Sequence, residues 1–369
     1  MPDLPPDGRT AAAPTRPPGW DDDWERAWAE ATGSGLAAAG TCPARVVRID
    51  KGGITASVRA GDEQLVVAVK SARRVVVGDV VALDVDAGRI EALLPRRTVF
   101  ERRSPGVGRD EIRLEARAVA SNMDHVLVLQ PLDPGLNPQR LARELVLAWE
   151  SGAVPVVLLT KADLVDADEI RRQVDEAARW APEVDVHAVS TRRDGGFEAL
   201  HDVTGGGHVL ALLGASGAGK SSLANALAGR PVQLVAEVRD GDRRGRHTTT
   251  AGQMVPLADG ALLIDTPGIR GVGLWAADDG LERAFADLAP YAEGCRFVDC
   301  THRSEPGCGI LAAVERGDVG ADRLEVWHQL VAELESLEAD LEERERQVER
   351  QVNQRSRHRA RGRGADPDD

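Results

Sequence analysis

Aromatic side chains are scarce in this 369-residue chain: seven Trp, four Phe and one Tyr, 3% of the whole. A base-stacking platform, which needs several exposed rings on one face, has little to be built from. Cysteine is scarcer still. Of the four, three fall between Cys295 and Cys308, too few and too clustered for a disulfide scaffold; that is metal spacing in a reducing compartment. No stretch approaches the roughly 18 consecutive apolar residues of a membrane span. Met1 to Gly19 is rich in Pro, Ala and Gly without an apolar signal core, which argues against secretion, so the cytoplasm is the expected location. An excess of positive charge is also missing: 60 Asp and Glu against 46 Lys and Arg give a formal −14 and exclude a uniformly basic nucleic-acid binder.

Locally the balance differs. Cys42 to Arg103 carries 12 Lys and Arg against 8 Asp and Glu, and the end of the chain holds Arg355, Arg357, Arg359, Arg361 and Arg363 with no acid among them. The length predicts two or three domains, and the fold class read from the pattern is multidomain α/β. Residues 1–40 read as a disordered leader, although Trp20, Trp24 and Trp28 would share one face of a short helix. Residues 41–103 hold five short β-branched runs, the signature of a small OB-type barrel, with phosphate contact expected through Arg45, Lys51, Arg59, Lys70, Arg73 and Arg74. Residues 110–275 alternate apolar strands (His125–Gln130, Val154–Thr160, Val184–Ser190, Val209–Gly214, Ala261–Asp265) with helices at Pro138–Glu150 and Glu169–Trp180, implying a parallel sheet covered on both faces. Residues 276–352 read as a metal-binding helical module whose long helix from Ala321 buries Leu324, Trp327, Leu330, Leu334, Leu337 and Leu341. Residues 353–369 read as a disordered, arginine-rich tail, and a monomer is the default expectation.

The strongest chemical signal is Gly214-Ala215-Ser216-Gly217-Ala218-Gly219-Lys220-Ser221, which fits G-x-x-x-x-G-K-S/T between an apolar strand and a helix opening at Ser222. The glycines let backbone amides turn in on phosphates, Lys220 reaches the β/γ oxygens and acts in catalysis, and Ser221 ligates Mg²⁺. Asp265-Thr266-Pro267-Gly268 closes a buried strand 44 residues after Ser221, where Asp265 would hold Mg²⁺ through water and the Gly268 amide would sense the γ-phosphate. Between them, Gly245-Arg246-His247-Thr248-Thr249-Thr250 is placed to be a switch segment; Thr249 or Thr250 would supply a hydroxyl to the metal, and the residues do not choose between the two. Thr160-Lys161-Ala162-Asp163 follows another buried strand. The Asp163 carboxylate can accept from guanine N1–H and the 2-amino group, a pattern adenine lacks, and Ser190 would offer an amide to the guanine 6-oxygen. This guanine-reading loop precedes the phosphate loop, the reverse of the ordinary order, so the domain reads as a circularly permuted P-loop GTPase. Cys295-x4-Cys300-x-His302-x5-Cys308 supplies three thiolates and one imidazole, a closed tetrahedral set for one structural Zn²⁺.

In this order the barrel, the guanine loop, the phosphate loop, Gly245–Thr250, Asp265-Thr266-Pro267-Gly268 and the Cys/His set resemble the ribosome-small-subunit-dependent GTPases, circularly permuted bacterial GTPases, over roughly Arg45 to Leu311. The departures are Thr160, where the pattern usually has Asn, the long leader and the divergent tail. The resemblance implies slow GTP hydrolysis stimulated by the small (30S) ribosomal subunit, late in that subunit's maturation, with rRNA as a partner. It makes His247 the suspected water-positioning group. Ile269 stands where a typical GTPase carries a water-orienting Gln, which fits low intrinsic turnover. A GTPase or ATPase switch serving a non-ribosomal partner is the alternative. An RNA-binding scaffold with a relic phosphate loop fits less well with intact Lys220, Ser221 and Asp265.

Overall fold

The computed structural model describes residues 16–60, 63–105, 114–232, 252–266, 269, 274 and 277–362. From Arg16 on, the leader expected to be disordered over 1–40 is instead built into the body. Helix α1 (Asp22–Gly33) starts at Asp21, whose carboxylate accepts from the Trp24 amide at 2.8 Å, and Asp22, Asp23 and Glu25 in its first turn suit the helix dipole. Trp24 is 2% exposed and packs with Ala31, Ala37, Val80, Ala82, Ala92 and Leu94. A side chain of that size removes a large apolar area from water and, with the neighbours it packs on, helps to offset the ordering of the helix. The Pro, Ala and Gly of residues 1–19 dominated the compositional reading; the Trp residues decide the outcome.

Five strands follow: β1 (Cys42–Asp50), β2 (Gly53–Ala60), β3 (Glu63–Val69), β4 (Val80–Asp84) and β5 (Arg89–Leu93). β2 pairs antiparallel with β1 and β3, while β4 pairs antiparallel with the first half of β1 and with β5. Lys70 meets Arg89 in a parallel bridge, its amide donating to the Gly88 carbonyl (2.8 Å) and its carbonyl accepting from Ile90 (2.9 Å), so the free ends of β3 and β5 touch. Alternate residues Ala44, Val46, Ala56, Val58, Val81, Leu83 and Ile90 fill the interior. Arg45 was expected to meet phosphate, but its side chain is fully buried, donating to the Gly19 carbonyl at 3.0 Å beneath the leader.

A hairpin not anticipated from the sequence, β6 (Val99–Pro105) with β7 (Leu114–Ser121), forms its own two-stranded sheet. It is fastened to the segment before β4 through Asp79, which is 0% exposed. The Asp79 carboxylate accepts from Arg96 Nε (2.7 Å), Arg96 Nη2 (3.0 Å), Ser121 Oγ (2.7 Å) and the Val76 amide (2.8 Å).

The remaining elements of the central region are β8 (His125–Pro131), α2 (Pro138–Glu150), β9 (Val154–Thr160), α3 (Ala167–Trp180), β10 (Asp185–Ala188), α4 (His201–Thr204), β11 (Val209–Gly214), α5 (Lys220–Ala228), β12 (Gly252–Pro256) and β13 (Leu262–Asp265). The sheet runs β10-β9-β8-β11-β13-β12, parallel except for β12, and continues through an antiparallel β12–β1 pairing into the N-terminal strands. Residues along its strands alternate between two cores. Val126, Val128, Val157 and Ala211 pack beneath α2, and Leu127, Leu129, Leu158 and Leu210 pack with Leu223, Ala224 and Leu227 of α5. Burial on both faces explains why these strands read as unbroken apolar runs.

α6 (Asp278–Ala284), α7 (Ala289–Ala292), α8 (Gly309–Arg316) and α9 (Ala321–Gly362) complete the chain. Gly280 brings α6 against α2 so closely that a Cβ there would lie 2.3 Å from the Val146 carbonyl oxygen. α9 packs on the body through Leu324, Leu330 and Leu334, as its periodicity predicts, and its own Arg323 is buried against Asp287 (Nε to Oδ2, 2.6 Å). The helix runs to Gly362, beyond the expected end near Val352. Pairs four residues apart such as Glu342–Arg346 (2.7 Å) and Glu343–Gln347 (3.1 Å) support it along the way.

Candidate functional site: a nucleotide cleft and a Cys/His cluster

The C-terminal ends of β9 and β11 stand one strand apart across β8, so the loops that leave them open on the same edge of the sheet. Their side chains and α5 enclose a cleft of ≈ 430 Å³ lined by Thr160, Lys161, Asp163, Gly217, Gly219, Lys220, Ser221 and Ser222 among others. The phosphate loop needs its glycines. Gly214, Gly217 and Gly219 have φ of 145°, 80° and 97°, and a Cβ on Gly214 would sit 2.8 Å from the Leu129 carbonyl oxygen. Ala215, Ser216 and Ala218 complete the turn, and α5 begins at Lys220, aiming the amides of its first turn at the cleft, a ready anion site. Lys220 is buried and donates to the Gly214 (2.7 Å) and Ala215 (2.6 Å) carbonyls, which lay it along the loop.

Thr160 answers the absence of the usual Asn. Its hydroxyl donates to the Ala218 carbonyl at 2.7 Å, so a single bond ties the guanine loop to the phosphate loop. Lys161 adopts φ 61°, and Ala162 opens a short 3-10 turn carrying Asp163. The Ser190 hydroxyl donates to Asp163 Oδ1 at 2.7 Å and holds that carboxyl below its ordinary range. The Ser190 amide, expected to face guanine, donates to the Gly196 carbonyl at 2.8 Å. Ser190 therefore acts on Asp163, and Thr191 and Arg192 form the neighbouring wall of the cleft.

Asp265 ends β13, 7% exposed, and shares a small pocket with Lys220, Thr266 and Ile269. Ile269 is buried in the main core. His247, Thr249, Thr250 and Gly268 lie outside the described residues. Within electrostatic reach of Lys220 is a residue the sequence reading missed. Glu144 of α2 accepts from Gln130 Nε2 at 2.6 Å, and burial pushes its carboxyl up to about 7, opposed by the charges of Arg140 and Lys220 and by that hydrogen bond. Gln130 is a polar residue near the end of an apolar strand, and that was the available signal.

The second cluster is compact. Ligand atoms of Cys295, Cys300, His302 and Cys308 all lie within 4.8 Å of one another. Cys295 Sγ is 3.6 Å from His302 Nδ1 and 3.9 Å from Cys308 Sγ, with 3.4 Å between His302 Nδ1 and Cys308 Sγ. A tetrahedron with Zn–S of about 2.3 Å and Zn–N of about 2.0 Å has S···S edges of about 3.8 Å and S···N edges of about 3.5 Å, so the set can hold a metal ion. Backbone amides of Gly309 and Leu311 donate to Cys295 (3.3 Å) and Cys308 (3.4 Å) sulfurs, which favours thiolates. Gly309 must be glycine: a Cβ would lie 2.1 Å from the Tyr291 carbonyl oxygen. Glu305 knots the intervening turn, accepting from the amides of Thr301, Arg303 and Ser304 at 2.9–3.0 Å. Trp327 of α9 lies 5.5 Å from the His302 ring and packs against it.

Comparison with known proteins agrees with this geometry. Residues 93–275 match the model of a family described as RsgA GTPase. A Streptomyces coelicolor protein called small ribosomal subunit biogenesis GTPase RsgA is 43% identical over 335 residues, covering 89% of this chain and 88% of the relative. The chain belongs to the RsgA GTPase family. A Methanosarcina acetivorans RsgA protein is 41% identical over 288 residues, 75% of this chain and 76% of its own. Among solved structures, YjeQ from Thermotoga maritima aligns with a TM-score of 0.58 at 24% identity, covering 79% of this chain and 98% of that one. YloQ, described as a circularly permuted GTPase, aligns at 0.59 and 19%, covering 80% and 96%. These two establish the fold, a circularly permuted GTPase with a mixed α/β sheet, and the Cys₃His cluster is seen in this chain itself. As a member of the RsgA family, the chain is a GTP hydrolase. Among the described residues no helix is long and apolar enough to cross a membrane.

Proposed function

We propose that this GTPase acts on the small ribosomal subunit, hydrolysing GTP slowly on its own and faster when docked there, and that nucleotide state governs docking and release late in that subunit's maturation. The observation that carries the reading is the 43% identity with a relative named for small ribosomal subunit biogenesis, across 88% of that protein's length. Within the cleft, the amides of Gly214 to Gly219, with Lys220 and Ser222, hold the phosphates of GTP or GDP, and Thr160 to Asp163 read guanine, with Ser190 holding the Asp163 carboxylate in place. Ser221 and Asp265 hold Mg²⁺, whose charge stabilises the transferred phosphoryl group. Gly268, Thr249 or Thr250 and His247 are assigned to γ-phosphate sensing, metal ligation and water positioning by their place in the motifs. Burial of Ile269 supports slow intrinsic turnover, since no side-chain amide stands at that position to orient water.

Cys295, Cys300, His302 and Cys308 bind one structural Zn²⁺; four ligands at tetrahedral spacing leave no open position. The five N-terminal strands over 41–103 are an OB-type barrel, a reading supported by the Lys70–Arg89 bridge between β3 and β5. With the GTPase domain over 110–275 and the zinc-binding helical module over 276–352, it provides surfaces for rRNA. The protein works in the cytoplasm as a monomer. The test is GTP and ATP hydrolysis with and without purified 30S subunits. Strong stimulation with GTP and little with ATP is expected, and equal GTP turnover in both conditions would sink the reading.

A further inference from the structure

The loop that follows β10 is pinched shut at its base. The Ser190 amide donates to the Gly196 carbonyl at 2.8 Å, and a Cβ on Gly196 would lie 2.2 Å from the Ser190 carbonyl oxygen, so only glycine closes the loop here. Residues 191–195 are left exposed, with Thr191 and Arg192 on the wall of the nucleotide cleft. The Ser190 hydroxyl then fixes two groups at once. It donates to Asp163 Oδ1 at 2.7 Å and accepts from the Arg192 amide at 3.1 Å, so Arg192 leaves the backbone two hydrogen bonds from the carboxylate assigned to guanine. That Ser190 bond, and after it the charges of Arg192 and Arg193, hold the Asp163 carboxyl below its ordinary range. Among the described residues, no hydrogen bond or ion pair engages the Arg192 guanidinium.

A guanine base brings two flat faces into the cleft as well as the polar edge that Asp163 can meet. Among the described residues that line the cleft, there is no aromatic ring to lie against either face. Leu164, 53% exposed, offers an apolar wall, and Lys161, turned at φ 61°, offers its methylene stem. Arg192 is the remaining flat, cationic group in that lining. A guanidinium is weakly hydrated and stacks on aromatic faces, which suits it to a purine better than a lysine ammonium.

We propose that the Arg192 guanidinium lies flat against the guanine base and supplies the stacking surface that the cleft lacks in rings. The inference rests on the reading of Thr160 to Asp163 as the guanine loop and adds to it a residue that holds the face of the base. Full-length protein with Mg²⁺ is titrated calorimetrically with GDP and with pyrophosphate, which fills the phosphate loop without a base. Arg192→Ala is expected to bind GDP about tenfold more weakly and pyrophosphate as wild type does. Arg192→Phe restores a flat surface without charge and should recover most of the GDP affinity. Arg192→Lys keeps the charge without the plane and should stay as weak as Arg192→Ala. Thermal midpoints show that each variant is folded. Unchanged GDP affinity in Arg192→Ala would overturn the proposal, as would full rescue by Lys, no rescue by Phe, or an equal loss of pyrophosphate binding. Asp163→Ala tests the underlying reading by itself. If it binds GDP as wild type does, the base lies elsewhere and both ideas fall; if it is weakened while Arg192→Ala is not, only the stacking role falls.

Discussion

Glu144→Gln replaces the half-buried carboxyl of α2 with an amide of the same shape that still accepts from Gln130. The wild-type carboxyl has its folded value raised to about 7 from a usual 4.5 by burial. The unfolded chain therefore ionises first as pH rises. Below about 4.5 both states hold the proton and Glu144 imposes no ionisation cost. Between 4.5 and about 7 the unfolded state loses it while the folded state keeps it, and stability falls; above about 7 the full cost is present. The gap corresponds to about 3 kcal/mol. Urea unfolding at a series of pH values should show Glu144→Gln more stable than wild type by about 2–3 kcal/mol at pH 8, with the difference vanishing toward pH 4.5. Nearby Lys220 and Arg140 favour the ionised form, so their neutralisation would enlarge the effect. A difference that does not change with pH would refute the reasoning, because a packing change alone has no proton linkage.

Thr160→Val keeps the shape of the side chain but strands the Ala218 carbonyl, a loss of about 1–2 kcal/mol. It should weaken GDP binding in a fluorescence titration; unchanged affinity would show that this bond does not register the two loops. Asp79→Ala removes the buried acceptor of the half-buried Arg96 and of Ser121 and should cost about 3–5 kcal/mol by urea unfolding, and a loss under 1 kcal/mol would deny Asp79 its role as the joint between the hairpin and the N-terminal strands. Cys300→Ser should lower zinc measured by atomic absorption to well below one per chain, whereas full occupancy would remove Cys300 from the ligand set.

Much of the central domain was legible because its strands are buried on both faces. Val154–Thr160 and Val209–Gly214 are bounded in the structure as the apolar runs predict, and Pro138–Glu150 is bounded by an Asn137 cap and its proline. The hairpin β6–β7 was not, since Arg102, Arg103, Glu115 and Arg117 break any clean alternation and its partner is specified by distant Asp79. Arg45 misled for a similar reason: nothing local marks a basic residue in a strand as the one that a leader helix will cover. In the site, motif spacing placed the phosphate loop and the Cys/His set. It could not reveal that the Ser190 amide is spent on Gly196, nor that the Glu144 carboxyl feels the charge of Lys220, because both follow from how separate loops and helices pack.

β12 is five residues long and ends in Pro256, and its pairing with β1 spans two residue pairs, Arg48 with Gln253 and Ile49 with Gly252. Without β1, those positions of the GTPase sheet would present open amides and carbonyls to solvent, a template for pairing with another molecule. The N-terminal strands thus act as an edge guard as well as a candidate RNA-binding surface. Trimming the chain to a minimal GTPase would trade a closed seam for a sticky border, and the excised domain should aggregate more readily than the full chain.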